Sequence, residues 1–156
     1  MLENSVLKVG LSWRNLSHAL GRNADPKQWA VLYLKGRGKT HRPMEIFDNK
    51  KRPLAALPSL EGLVAIDGSW KQAKALWWRN PWLLRLNRIM LNPESASRRP
   101  QVKKEGLSTI EAVALALKCL GEDPEIPFAL EKNYVDLILK TLSNSMLPSL
   151  GRPGAS

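Results

Sequence analysis

Two patterns of apolar positions alternate along the chain: short continuous apolar runs, and longer stretches whose apolar residues recur at helical spacing. A continuous apolar run is typical of a strand that is covered on both faces of a sheet. Runs of this kind predict strands at residues 6–10, 29–34, 63–66 and 88–91. In most cases such a run ends at a polar turn, and a stretch with helical spacing follows.

The helical stretches carry recognisable start and stop signals. Ser69 with Gln72, and Ser108 with Glu111, have capping-box spacing, which marks the first turn of a helix. Glycine follows the first and third stretches, and Asn80-Pro81 ends the second. The predicted helices span 13–20, 69–78 and 108–120, with a last one from Pro127 whose apolar face holds Phe128, Val135, Ile138, Leu139 and Leu142.

Alternating strands and helices predict an α/β fold with a mostly parallel sheet. We expect one domain over residues 1–143 and a flexible tail over 144–156. Ligands of such sheets bind at the carboxyl ends of the strands. The loops 10–14, 67–70 and 91–108 follow predicted strands there, so they are candidates for one common site.

The distribution of charge along the chain indicates which class of molecule the protein could bind. The net charge is +10, and it is divided as +7, +6 and −3 among residues 1–52, 53–104 and 105–156. A basic surface of this kind favours a polyanion such as RNA, because neutralising phosphates releases counterions; the alternatives are a basic soluble protein and solvated basic loops. The candidate RNA-binding residues are Lys35, Arg37, Lys39, Arg42, Arg98, Arg99, Lys103 and Lys104.

Other composition signals restrict the class of protein. A single cysteine, Cys119, excludes an intrachain disulfide framework and fits a reducing compartment, so we expect a cytoplasmic protein. No apolar run is long enough to span a membrane, and no membrane partner is expected. Neither histidine has Cys, Asp or Glu nearby at ligand spacing, so no metal is predicted. Cys119 lies beside predicted core positions, which favours a core residue over a nucleophile.

Asp67 stands where a buried strand meets the start of a helix. Its carboxylate can accept a proton or bind a hydroxyl, or it can simply stabilise the turn. The Ser108-Thr109 turn can bind an anion at a helix start, or serve as an ordinary cap. Trp70 shares a helical face with two later tryptophans, which indicates core packing, although one of them could stack on a base.

Three blocks in order resemble the DTW-domain family of tRNA-uridine aminocarboxypropyltransferases, which is related to enzymes that modify small-subunit rRNA. They are 67–73 (DGSWKQA), 88–93 (RIMLNP) and 107–112 (LSTIEA), and the similarity extends over most of residues 6–122. The resemblance implies a SPOUT-like fold with a C-terminal trefoil knot. It also implies transfer of the 3-amino-3-carboxypropyl group of S-adenosylmethionine to a uridine-type base in tRNA or rRNA, releasing methylthioadenosine.

The resemblance further implies roles for individual residues. Asp67 matches the motif carboxylate that would deprotonate or orient the uracil nitrogen. Trp70 and Ala73 match positions around the donor's methyl group, and Ser12 matches a hydroxyl near its carboxylate. Segments around the donor's ribose and adenine are matched by Ile66, Ile89, Leu91, Leu107, Ser108 and Thr109.

This chain departs from the family pattern at three points. The region between Pro93 and Leu107 lacks the tyrosine that often follows its serine in the family. Ser69 stands where threonine is usual, and there is no N-terminal cysteine cluster of the kind that would bind zinc. Two other functions stay open at this point: a SPOUT-type RNA methyltransferase with the same donor, and a non-catalytic RNA-binding or ribosome-assembly module. The oligomeric state is not indicated by the sequence.

Overall fold

Within the residues that the structure describes, four strands form one sheet. The computed structural model describes residues 5–34, 42–56, 58–92 and 108–146. The strands are β1 (Trp29–Leu34), β2 (Met44–Phe47), β3 (Gly62–Val64) and β4 (Asn87–Leu91), in the order β2-β4-β1-β3. β1 runs parallel to both β3 and β4, whereas β2 is antiparallel to β4. The prediction of an α/β fold with a mostly parallel sheet is therefore confirmed.

Helices complete the described chain. They are α1 (Leu16–Leu20), α2 (Trp70–Arg79), α3 (Thr109–Cys119) and α4 (Glu125–Met146), with 3-10 helices at Pro26–Gln28 and Pro81–Arg85. Both predicted capping boxes are present: the side chains and backbones of Ser69 and Gln72, and of Ser108 and Glu111, bond reciprocally. Gly21 ends α1 in the left-handed conformation that glycine adopts without a Cβ penalty. α1 is shorter than predicted because Asn15, not Trp13, caps its first turn.

The two faces of the sheet bury separate apolar clusters. On one face Ala30, Ile46 and Ile89 pack against Ala112 and Ala116 of α3. The small alanine side chains let α3 lie close to the strands, and α4 packs on α3 as the next layer. On the other face β1 contributes Trp29 and Val31 to a cluster completed by Leu16, Leu83 and Leu86. Covering both faces explains why β1 and β4 read as continuous apolar runs.

Two strand predictions are corrected by the structure. Residues 6–10 form no strand, and Val6, Leu7 and Val9 are exposed. An apolar run without a sheet neighbour has no partners for its backbone groups, so composition alone misled the prediction. Conversely, β2 lies within residues 35–52, where no strand is predicted, because Glu45 interrupts its apolar residues and basic residues are frequent on both sides. β3 is also shorter than the predicted strand 63–66.

The predicted apolar face of the last helix is only partly buried. α4 begins at Glu125, two residues before the predicted start at Pro127, and Tyr134 and Pro127 are its buried residues among those described. Phe128 and Leu139, which belong to the predicted apolar face, are 67% and 58% exposed, so no described residue covers this part of the face. α4 runs to Met146, into the predicted tail, and residues 147–156 lie outside the described part of the chain.

The SPOUT-like topology and the knot stay predictions, since the segment 93–107 that joins β4 to α3 is outside the described residues. Within the described chain, the structure contains no helix that is both long enough and apolar enough to cross a membrane.

Candidate active site

Asp67 lies three residues beyond the end of β3, at the carboxyl edge of the parallel strands. Its Oδ1 accepts a hydrogen bond of 2.7 Å from the Thr109 hydroxyl, which joins the segment before α2 to the first residue of α3. Both groups reach solvent, with Asp67 exposed and Thr109 half-buried. No other described residue bonds to this carboxylate, so Oδ2 is available to a ligand.

The starts of α2 and α3 therefore meet at one carboxylate. Helix starts carry partial positive charge from unpaired backbone N–H groups, which stabilises a negative side chain nearby. Each start is already capped: Ser69 N donates to Gln72 Oε1 over 2.8 Å, and Ser108 N donates to Glu111 Oε2 over 2.9 Å. The capping role considered for Ser108 is thus confirmed, and its buried hydroxyl is occupied in accepting from the Glu111 backbone.

Gly68 permits this approach of Asp67 to Thr109. Its φ is +136°, a conformation that side chains rarely adopt, and an added Cβ would lie 2.9 Å from Gln72 Oε1. The glycine turns the chain between β3 and α2 so that Asp67 faces the start of α3 while Ser69 caps α2.

Trp70 is the first residue of α2 and is 74% exposed, beside the loop that holds Asp67. Ala73 lies one turn further and is half-buried, and Ile66 is half-buried against the second apolar cluster. The predicted core packing of the tryptophan face is wrong at two positions, since Trp78 is also 79% exposed and Trp77 alone joins the core. An indole that is mostly in water has a face available for stacking.

Ile89 and Leu91 lie in β4, in the middle of the sheet. Both side chains are fully buried, and both backbones pair with β1 and β2. Any contact of these two residues with a ligand would have to be made at the open end of the strand, beyond Leu91. Leu107 lies outside the described residues.

Ser12 is not brought to the same end of α2 as Asp67. Its hydroxyl donates to the carbonyl of Arg79, the last residue of α2, over 3.1 Å. Asp67 lies next to the first turn of the same helix, so almost the whole length of α2 separates the two side chains. The predicted common site of three loops is therefore divided, with the loop 10–14 at the carboxyl end of α2 and the loop 67–70 at its amino end.

Asn80 holds the loop 10–14 in place, a role the sequence analysis missed. Its side chain is 1% exposed, accepts from Trp13 N over 2.8 Å, and donates to Leu11 O over 3.1 Å. In the sequence, an asparagine before a proline indicates only the end of a helix. The same residue does stop α2, and its buried amide additionally recruits a segment 67 residues away.

Of the candidate RNA-binding residues, Arg42 is described and the others are not: Lys35, Arg37, Lys39, Arg98, Arg99, Lys103 and Lys104 lie outside the described residues. Arg42 is exposed, and its carbonyl accepts a bond of 3.0 Å from the Asn92 side chain at the end of β4. It therefore lies at the same edge of the sheet as Asp67. Because β2 and β3 are the two outer strands, Arg42 and Asp67 lie at opposite ends of this edge.

Two features of the described chain concern metal-binding and nucleophilic side chains. No group of three or more His, Cys, Asp and Glu side chains there is arranged to hold a metal ion. Cys119 is half-buried at the end of α3, and burial raises the pKa of its thiol. A raised pKa reduces the thiolate population, which agrees with a packing role.

Comparison with known proteins gives two matches and one negative result. A family model described as the DTW domain matches residues 3–143. Over 114 residues the chain is 34% identical to tRNA-uridine aminocarboxypropyltransferase 2 of Drosophila melanogaster, an alignment that covers 70% of this chain and 41% of that protein. The chain thus spans less than half the length of this relative. No solved structure matches the chain significantly.

Proposed function

The chain belongs to the DTW-domain family, and on that premise we propose that it is a transferase that modifies a uridine of tRNA. The group transferred is 3-amino-3-carboxypropyl, and the donor is S-adenosylmethionine. The observation that carries the proposal is the Asp67–Thr109 hydrogen bond at the carboxyl edge of the sheet, because it presents one fixed, exposed carboxylate beside two helix starts. The relative named above acts on uridine in tRNA, as its name states.

The residues around Asp67 fit this donor. Trp70 presents an exposed indole, and Ala73 one turn away presents a half-buried methyl group, so the two can enclose an apolar substituent. The exposed carboxylate suits a cationic ligand nearby. When bound, the donor supplies a carbon that is electrophilic because it is attached to a sulfonium.

Asp67 is the group we assign to the acceptor base. Its Oδ1 is held by Thr109, so Oδ2 is the atom that accepts the N3 proton of uracil as the nitrogen becomes nucleophilic. Thr109 is a positioning residue in this scheme: its hydroxyl fixes the plane of the carboxylate and lowers the entropy lost in aligning it. We expect this reaction to take place in the cytoplasm.

The test uses S-adenosylmethionine labelled in the carboxypropyl carbons, with tRNA and rRNA transcripts as acceptors. We expect label to enter tRNA and methylthioadenosine to accumulate in equal amount. Asp67→Asn should lower kcat about 100-fold or more, the usual contribution of a general base, with RNA affinity unchanged. Thr109→Val removes the hydroxyl at constant shape and should lower kcat about 10-fold, the loss of one hydrogen bond to a charged group.

Three results would contradict the proposal. Transfer of methyl with release of S-adenosylhomocysteine would assign the chain to RNA methylation instead. Absence of S-adenosylmethionine binding in calorimetry would favour a non-catalytic RNA-binding module. If Asp67→Asn lowers the fraction of folded protein as much as it lowers activity, Asp67 is a structural residue of the turn.

A further inference from the structure

The outward face of α2 exposes an aromatic ring that no described residue covers. Trp78 is 79% exposed, although burying a tryptophan side chain would remove a large apolar area from water. The inward face of the same helix carries Ala73, Leu76 and Trp77, all half-buried. α2 therefore already packs on the protein through one face, and Trp78 is not needed for that packing.

Two lysines share this outward face. Successive helical residues are about 100° apart, so Lys71, Lys74 and Trp78 fall within a sector of about 60°. Both lysines are exposed, and none of the three side chains has a described hydrogen-bond or ion-pair partner. The α2 face, defined by these three residues, begins one residue after Trp70, beside Asp67, and extends to the last turn of the helix.

The segment that follows Asp67 and contains the α2 face carries side-chain charge of one sign. Residues 68–92 contain five Lys or Arg and no Asp or Glu. Arg79 and Arg85 of this segment are also exposed. A basic helix without acidic partners repels other basic surfaces and attracts a polyanion, so a second copy of this chain fits the face poorly.

We propose that the α2 face binds a single-stranded stretch of RNA next to the target nucleotide, with a base stacked on Trp78 and phosphates at Lys71 and Lys74. The proposal rests on the proposed function in taking RNA as the partner. Single-strand-binding surfaces combine aromatic platforms with basic residues in this way, and stacking tolerates any base. A duplex would offer no unstacked base to Trp78. The rigid helix would hold the stacked nucleotide at a fixed distance from Asp67.

The experiment measures binding of the full chain, without donor, to a fluorescent oligouridylate of about 15 nucleotides and to a tRNA transcript, by anisotropy over a range of salt concentrations. Trp78→Ala should weaken binding about 5-fold to 100-fold, the value of one base stacked on an aromatic ring. Trp78→Phe should retain most of the affinity. Lys71→Gln with Lys74→Gln should reduce the slope of log K against log salt by about 1.4.

Matched controls lie on the other side of the sheet. Phe128→Ala removes an aromatic side chain that is 67% exposed on α4, and Lys118→Gln with Lys132→Gln removes two exposed charges from α3 and α4. These variants should leave affinity and salt slope unchanged. If Trp78→Ala behaves like Phe128→Ala, or if it only converts a dimer to a monomer in size-exclusion chromatography, the proposal is overturned.

Failure of this proposal differs from failure of the proposed function. If no RNA accepts the aminocarboxypropyl group but Trp78→Ala still weakens RNA binding, RNA binding by the α2 face is supported and the proposed reaction is refuted. If the aminocarboxypropyl group is transferred and Trp78→Ala leaves both the affinity and the KM for RNA unchanged, the proposed reaction is supported and RNA binding by the α2 face is refuted. Under both proposals Trp78→Ala raises KM and leaves kcat at saturating RNA nearly unchanged.

Discussion

Asn80 offers the sharpest test of how this chain is held together. Its side chain makes four hydrogen bonds: it accepts from Trp13 N and Trp82 Nε1, and it donates to Leu11 O and Leu76 O. These partners lie in the loop 10–14, in α2 and in the following 3-10 helix. Asn80→Ala removes all four bonds at a position that is 1% exposed.

The expected loss in the free energy of unfolding depends on which partners of Asn80 keep another hydrogen bond in the Asn80→Ala variant. Leu76 O still accepts from the Asn80 backbone, and Trp82 Nε1 still donates to Trp13 O over 3.0 Å. Two groups are left without a described partner, Trp13 N–H and Leu11 C=O. Each unsatisfied buried group costs about 1–3 kcal/mol, and both are only part-buried. We therefore expect a loss of about 2–3 kcal/mol in the free energy of unfolding.

The assay is urea unfolding followed by circular dichroism, with the slope m compared between proteins. Asn80→Ala should lower the midpoint at unchanged m, and it should lower Tm by about 5–10 °C in a chain of this size. Asn23→Ala, at an exposed turn position, is the control and should change stability by less than about 0.5 kcal/mol. A change in Asn80→Ala no larger than that of the control would refute the reasoning.

Two further predictions concern single positions. Gly62→Ala should lower the free energy of unfolding by about 1–3 kcal/mol in the same assay, because the new Cβ would overlap the ring of buried Trp29; unchanged stability would mean that the ring can move aside. The pKa of Asp48 is lowered from its usual value of 3.8, chiefly by the Arg52 backbone N–H. Its stabilising contribution is therefore present above about pH 4 and lost as pH falls through the lower folded-state pKa, so Asp48→Asn should flatten the acid limb of a plot of urea midpoint against pH.

Long, self-consistent patterns were predictable from the sequence, and long-range polar contacts were not. β1 has the predicted bounds, and Trp29, Ala30 and Val31 are buried in the clusters on the two faces of the sheet. Residues 6–10 include the apolar Val6, Leu7 and Val9 but pair with no strand of the described sheet, and the local sequence does not show whether a pairing strand is present. β2 depends on its antiparallel pairing with β4, and its sequence contains no continuous apolar run that would predict a strand.

In the candidate site, too, some features could be predicted from the sequence and others could not. The turn at Asp67 was predictable because a strand end, a glycine and a capping box are adjacent in sequence. Its bond to Thr109 joins residues 42 apart, so spacing could not predict which residue orients the carboxylate. The position of Ser12 was misjudged for the complementary reason: the strand expected before it does not exist, and Asn80 draws the loop 10–14 to the other end of α2.

α2 connects the proposed catalytic carboxylate with the residue whose substitution we expect to lower stability. Its amino end begins beside Asp67, and its carboxyl end is fixed by Asn80, a full helix length away. A substitution at Asn80 removes interactions of the folded state at the far end of a rigid helix, so it should reduce the amount of folded protein while leaving the geometry at Asp67 intact. A substitution at Thr109 should instead change the geometry at Asp67 while leaving the amount of folded protein nearly unchanged. The Thr109 hydroxyl contacts the exposed carboxylate and little of the core. Activity per folded molecule therefore separates the two ends of the helix: we expect it to be preserved in Asn80→Ala and lowered in Thr109→Val.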